Sequence, residues 1–350
     1  MCAKKRTTST TAENTIQVSA EHWPVYGHDW AANYLHKALL NQRLRQSYLI
    51  VGIPSIGKMQ FARALAMALN CTAEDPAKRP CGECRSCRLI ISGNHSDMVY
   101  SELDSNTGSL KIEALRDVMK RLSLKPYESR FRIAIIEDFD HAKGPAQDAI
   151  LKTLEEPPDH AVLLLLATST EQVLSTILSR CQKVYLRPVP LDTLQEILTS
   201  TYGAAPDQAQ LLARLSGGRI GWAIDALREE DILAQRNTAL DLLEKILDSN
   251  RAVRFDLSNN LAKDRAALLT LLELWQTYWR DILLSLENAP VKPCNSDRLD
   301  QIERMRLKMT ADEALDALKA TQNLMRQLDT NVNVRLALEV LMLQYPGLRR

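Results

Sequence analysis

Short continuous apolar runs punctuate the first half of the chain. Ser47–Val51 (SYLIV) ends at Gly52, Arg132–Ile136 (RIAII) ends at an acidic pair, and Ala161–Ala167 (AVLLLLA) is the longest. Lys183–Leu186 (KVYL) is the last, and Asp97–Leu103 carries a weaker run of the same kind. Runs that are apolar without alternation predict strands covered on both faces, as in a parallel sheet. Between them the period changes to three and four. Met59–Leu69 is rich in Ala and Leu, and Ile112, Leu115, Met119 and Leu122 form one face of Leu110–Leu124. Ala146–Glu155 predicts a single helix that stops ahead of Pro157 and Pro158. Strand–helix alternation of this kind predicts an α/β, doubly wound sheet with ligands at the carboxyl ends of its strands.

Beyond Pro188 and Pro190 the strand pattern ends. Leu191–Thr201, Pro206–Leu215 and Gly221–Glu230 predict three short helices, with a Ser216-Gly217-Gly218 turn before the third. From about Ile232 the pattern is helical to the end. Leu240, Leu243 and Leu247 make one apolar stripe; Leu268, Leu271, Leu272, Trp275 and Trp279 make another. Trp275 and Trp279, one turn apart, fit a helix core better than a cofactor stack. Asn288–Ser296, with two prolines, predicts a loop between helices.

Composition adds mainly exclusions. The 350 residues are enough for two or three domains with real cores. Forty-four basic against 43 acidic residues leave a net charge of +1, which excludes an acidic solvating protein and gives no global drive towards nucleic acid. No apolar run approaches the roughly 20 residues of a membrane span. Met1–Asn14 is polar, Thr/Ser-rich and lacks the apolar stretch of a secretory signal, so it is expected to be a disordered tail on a cytoplasmic protein.

Gly52-Ile-Pro-Ser-Ile-Gly57-Lys58-Met59 follows the first strand and opens a helix. It fits the phosphate-loop pattern G-x-x-x-x-G-K-[ST] at every position but the last. In such a loop backbone N–H groups cradle phosphate, the helix terminus adds positive dipole and the lysine reaches the outer phosphates. The missing Ser/Thr hydroxyl is the one that sits on magnesium, for which a thioether is a poor ligand. The loop therefore predicts phosphate-loop ancestry, leaves ATP binding open and argues against hydrolysis. The strand Ile133–Ile136 then delivers Glu137-Asp138, an inversion of the Asp-then-Glu order that hydrolytic enzymes use. Each carboxylate is displaced by a methylene where geometry matters to about 0.5 Å; a solvated acidic strand end is the plainer reading.

Four of the seven cysteines, Cys71, Cys81, Cys84 and Cys87, fall within 17 positions. Clustered rather than spread, they point to metal rather than a disulfide framework. Four thiolates suit tetrahedral zinc, with Pro80 and Gly82 helping the chain turn, and a closed four-sulfur site is structural. The spacing departs from the ferredoxin iron–sulfur pattern. Lys78, Arg79, Arg85 and Arg88 surround the cluster, which keeps a free-standing nucleic-acid-binding zinc protein as an alternative; a solvated basic face is the plainer account.

The phosphate loop followed by the cysteine insertion, Ile150-Leu-Lys-Thr-Leu-Glu-Glu-Pro-Pro158, and Ser179-Arg180-Cys181 together resemble bacterial clamp-loader subunits of the AAA+ superfamily, over roughly Trp23–Leu227. The resemblance implies an AAA+ domain over 15–187 with its zinc module at 71–87, a helical lid over 188–231 and an all-α collar over 232–350. It implies a subunit of the non-hydrolysing type, since Met59, the acidic inversion and Gly221 in place of a lid arginine all depart from the motor, although Arg219 stands close to that position. It makes Arg180 a finger offered in trans to a neighbour's nucleotide, and Thr168 a polar sensor at a strand end. Gly52, Gly57, Lys58, Glu137, Asp138 and Thr168 would be a degenerate nucleotide site. The implied partners are the motor subunits, the delta subunit, the sliding clamp and, through the assembly, primed DNA, with no membrane. An active motor ATPase is the rival within the family.

Overall fold

The computed structural model describes residues 23–101, 110–328 and 332–347. The tail at 1–14 and the end of the weak run at Asp97–Leu103 lie outside the described residues. The chain divides into two compact units. The first runs to Arg187 without Pro54–Ile56; the second comprises Pro54–Ile56 and the chain from Pro188 onward.

In the first unit five strands form one parallel sheet: β1 (Ser47–Val51), β2 (Met98–Tyr100), β3 (Arg132–Ile136), β4 (Ala161–Ala167) and β5 (Gln182–Tyr185). Their order is β2-β3-β4-β1-β5. β4 pairs β1 from Ser47↔Leu163 to Val51↔Ala167 and β3 from Arg132↔Ala161 to Ile136↔Leu165. All residues of β1 and β4 are buried, as continuous apolar strands demand. The helices are α1 (Asp29–Leu40), α2 (Lys58–Asn70), α3 (Arg85–Ile91), α4 (Ile112–Leu122), α5 (Gly144–Asp148), α6 (Leu151–Glu155) and α7 (Ser175–Leu178). Leu49, Val51, Ala134, Ile136, Leu163 and Leu165 face one core with Leu115, Val118 and Leu122 of α4. The opposite-phase residues Tyr48, Ile50, Ile133, Ile135, Leu164 and Leu166 are equally buried, and α2 packs on β1 and β4. Each such Leu or Ile contributes roughly 1.5–3 kcal/mol by leaving water, so β4 is the sheet's spine.

One expected element differs. The helix predicted over Ala146–Glu155 is broken into α5 and α6 at Ala149-Ile150. Ala149 and Ile150 bond back three residues, to Ala146 and Gln147, a tighter winding than the α-helix. Gln147 holds the break in place. Its buried amide donates to the carbonyls of Ala142 and Gln172 and accepts from the Leu174 N–H.

The second unit contains α8 (Leu191–Ser200), α9 (Pro206–Ser216), α10 (Ile220–Arg228), α11 (Glu230–Leu247), α12 (Arg251–Leu261), α13 (Arg265–Leu286), α14 (Leu299–Arg306), α15 (Ala311–Leu328) and α16 (Val334–Gln344). Proline opens α9, and Gly217 closes it at φ 59. Asn250, Asp264 and Asn333 cap α12, α13 and α16 through side-chain oxygens. Trp275 and Trp279 are wholly buried, as expected of a core pair, and both meet the ring of Tyr345 edge-on. Arg254 is also buried and, among the described residues, pairs with no carboxylate. Its guanidinium donates to the carbonyls of Leu247 at the end of α11, of Met342 in the last turn of α16, and of Tyr345 and Pro346 just beyond it, where a cation also offsets the helix dipoles. Among the described residues no helix is long and apolar enough to cross a membrane.

Candidate functional site: phosphate loop, cysteine cluster and strand-end arginine

β1 leads into the phosphate loop, and Gly57 turns it into α2 at φ 101, a conformation that favours glycine. Ser55 also lies at positive φ, 57. Lys58 folds back on the loop: its Nζ donates to the carbonyls of Gly52 at 2.7 Å and Ile53 at 3.3 Å. Burial lowers its pKa, partly opposed by the charges of Asp138, Asp140 and Glu137. The expected carboxylates thus do gather towards the lysine. Burial, with Asp138 beside it, raises the pKa of Glu137 against the pull of Arg63 and Lys58. Asp138 adopts φ 45 and ψ 43, a strained backbone for a non-glycine residue.

Asp140 is the member that sequence reasoning missed. It is buried, and its Oδ2 accepts the N–H groups of Thr168 at 2.9 Å and Ser169 at 3.1 Å, tying the end of β3 to the end of β4. Among the described residues its Oδ1 has no hydrogen-bond partner. Thr168 therefore stands where a strand-end sensor was expected, held by its backbone. The only local signal was a third acid two residues after the pair.

Within the second unit, the Gly221 N–H donates to the Ser55 carbonyl at 2.8 Å. A Cβ at 221 would meet that oxygen at 2.8 Å, which explains why glycine stands here. Arg219 precedes α10 and turns elsewhere, donating to Ser216 O and lying over the Trp222 ring.

The four cysteine sulfurs lie within 4.8 Å of one another. Tetrahedral zinc with bonds of about 2.3 Å needs sulfurs about 3.8 Å apart, so the donor set fits with small adjustments. Gly82 turns the chain at φ 75. Backbone N–H groups of Ala73 and Cys81 point at Cys71, that of Cys84 at Cys81 and that of Cys87 at Cys84, though burial still raises the thiols of Cys71 and Cys87. Burial raises Cys84, but hydrogen bonds from Thr72 and Cys87 outweigh it and bring its pKa to about 6.

Behind this cluster lies an anchor that the sequence did not disclose. His95 Nε2 meets the hydroxyls of Ser86, on α3, and Ser129. Asp97, fully buried, accepts the N–H groups of Tyr127, Glu128 and Ser129 and an ion pair from Arg132.

Arg180 stands between α7 and β5. Its Nη1 donates to Thr176 O at 2.9 Å and to Ser179 Oγ at 3.4 Å; its Nη2 donates to Glu155 Oε1 at 2.8 Å. The arginine is thus locally capped and paired as well as partly exposed. Its carboxylate partner is the first glutamate of the Leu154-Glu155-Glu156-Pro157 motif.

The family described as DNA polymerase III, delta subunit matches residues 27–190. The DNA polymerase III subunit tau of Escherichia coli is 34% identical over 217 residues, covering 59% of this chain and 33% of that protein. Subunit tau of Salmonella typhimurium is 31% identical over 275 residues, covering 71% and 42%. The delta' subunit of Bacillus subtilis is 26% identical over 316 residues, covering 89% of this chain and 94% of that protein. The matches thus span a third to two-fifths of the length of the two tau proteins and nearly all of the delta' protein.

Proposed function

Because the chain belongs to the family of DNA polymerase III clamp-loader subunits that includes delta', tau and gamma, we propose that it is a delta prime-type subunit. In this reading it helps load the sliding clamp onto primed DNA while hydrolysing no ATP itself. The phosphate loop carries the reading. Met59 offers magnesium no oxygen, and glycine rather than a lid arginine stands at 221. The match to nearly the full length of a delta' protein supports the same assignment.

Arg180 is then the chain's catalytic contribution, a planar guanidinium offered to the phosphates of an adjacent motor subunit. Cys71, Cys81, Cys84 and Cys87 would hold a structural zinc, which supplies cross-linking and no chemistry. The partners are motor subunits, the delta subunit and the clamp, in the cytoplasm, with DNA met through the assembly. The division of the helical unit into lid and collar belongs to this reading as well.

The motor reading has one observation of its own, the higher identity to tau. Nucleotide turnover by the purified chain decides between them. The positive test is co-purification with the organism's motor subunit, native mass measurement, and clamp- and DNA-stimulated ATPase of the assembly with Arg180→Ala. A fall in stimulated turnover with the assembly intact supports the reading. Unchanged turnover returns Arg180 to a local structural role.

A further inference from the structure

The Arg180–Glu155 pair bears on how the finger is held before a neighbour arrives. Glu155 is the last residue of α6, which Pro157 and Pro158 prevent from continuing. A carboxylate at a helix C-terminus sits at the unfavourable end of the local dipole, so it draws on a nearby cation. Arg180 supplies that cation at 2.8 Å. Both Nη1 hydrogens have local acceptors, Thr176 O and Ser179 Oγ, and Glu155 takes one Nη2 hydrogen. Among the described residues Nε has no hydrogen-bond partner. The bidentate edge still open to a phosphate is therefore Nε with Nη2, and Glu155 already stands on Nη2.

A phosphate oxygen and the Glu155 carboxylate, both anionic, repel when brought to the same nitrogen. One must leave. The side chains are 37% and 53% exposed, and an exposed pair is worth at most about 1 kcal/mol, a factor of about five in an equilibrium. Displacement is therefore easy. We infer that Glu155 is a place-holding counter-ion for Arg180, occupying the guanidinium until the neighbour's nucleotide phosphate displaces it. This rests on the finger reading above and adds a regulated handover to it. Glu155 acts through Arg180 and is not itself catalytic. Its consequence is a small tax on engagement: each nucleotide must outcompete a carboxylate, which discriminates against weak or misplaced anions.

The test uses the reconstituted assembly, with stimulated ATPase measured against ATP concentration for wild type, Glu155→Gln, Arg180→Ala and the double variant. Glu155→Gln keeps size and a carbonyl acceptor but loses the charge, and a thermal melt matching wild type checks the fold. The expected result is a half-saturating ATP concentration lowered two- to five-fold with the maximal rate retained, and a double variant indistinguishable from Arg180→Ala. A Glu155→Gln curve that overlays wild type, or one with a lowered maximal rate, overturns the place-holder even where Arg180→Ala is strongly impaired. An assembly indifferent to Arg180→Ala overturns the finger itself, and the two failures are therefore distinguishable.

Discussion

Lys58 Nζ lies 2.7 Å from the carbonyl oxygen of Gly52, six residues behind it in the same loop. This is the ammonium that a phosphate loop turns to an outer phosphate when nucleotide is bound, but the next residue, Met59, brings no hydroxyl for magnesium. The purified chain is expected to turn over ATP below about 0.1 s⁻¹, against typical enzyme values of about 1–1,000 s⁻¹. Met59→Thr should not restore activity, because it repairs neither the acidic order at Glu137-Asp138 nor the glycine at 221. Steady-state phosphate release checks this; robust turnover abolished by Lys58→Ala would count against it.

One zinc per chain is expected from metal analysis of protein purified under reducing conditions. Structural zinc in small peptides contributes on the order of 10–16 kcal/mol at neutral pH, so Cys87→Ser should release the metal and unfold residues around 71–87. The sheet should survive, since its strands lie outside that segment. Loss of α3 protection in hydrogen exchange, with β1 and β4 still protected, is the signature to seek.

Acid should loosen the segment before β3 through Asp97. Burial raises its pKa, but the N–H groups of Tyr127, Glu128 and Ser129 and the charge of His95 outweigh that and hold it below the ordinary value of 3.8. A carboxyl depressed in the folded state stabilises fully above its unfolded value and loses that contribution as pH falls through the folded one. The loss therefore falls below about pH 4. Asp97→Asn should cost roughly 2–4 kcal/mol at neutral pH by leaving buried donors facing an amide, and it should flatten the acid limb of a denaturation series. An acid limb identical in the two proteins would remove Asp97 from the account.

Arg254 and Gly347 make a paired prediction in the second unit. Arg254→Met keeps much of the volume but orphans four carbonyls, at a cost of about 3 kcal/mol. Gly347 sits at φ 90, and a Cβ there would come within 2.2 Å of Leu247 O, so Gly347→Ala should displace the same joint and cost about 1–3 kcal/mol. Because both act on one set of contacts, the double variant should lose less than the sum. Denaturant midpoints of the four proteins test it.

The sheet was legible because burial on both faces leaves an unbroken apolar run, and β1, β3 and β4 fall where those runs stand. The break at Ala149-Ile150 was not, because it is held by Gln147 reaching the carbonyl of Gln172, which local propensity cannot register. The gathering of the four cysteine sulfurs was legible from spacing, since three of them stand within seven positions of one another. Asp140 was not: a carboxylate after an acidic pair looks solvated until the fold brings β4's end to it. Arg180 could be singled out by motif, yet its partner Glu155, 25 residues earlier, emerges only when α6 and α7 are packed together.

The guanidinium of Arg254 sets an order in time. Synthesis runs from the N-terminus at about 5–20 residues per second, so Met342, Tyr345 and Pro346, three of its four carbonyl acceptors, reach the ribosome's exit on the order of ten to thirty seconds after Arg187. Until then Arg254 lacks three of its four acceptors, and its guanidinium has only the Leu247 carbonyl and water to bond. The sheet unit can mature while its helical companion waits. The ring that Trp275 and Trp279 both meet, Tyr345, is likewise among the last residues to be made.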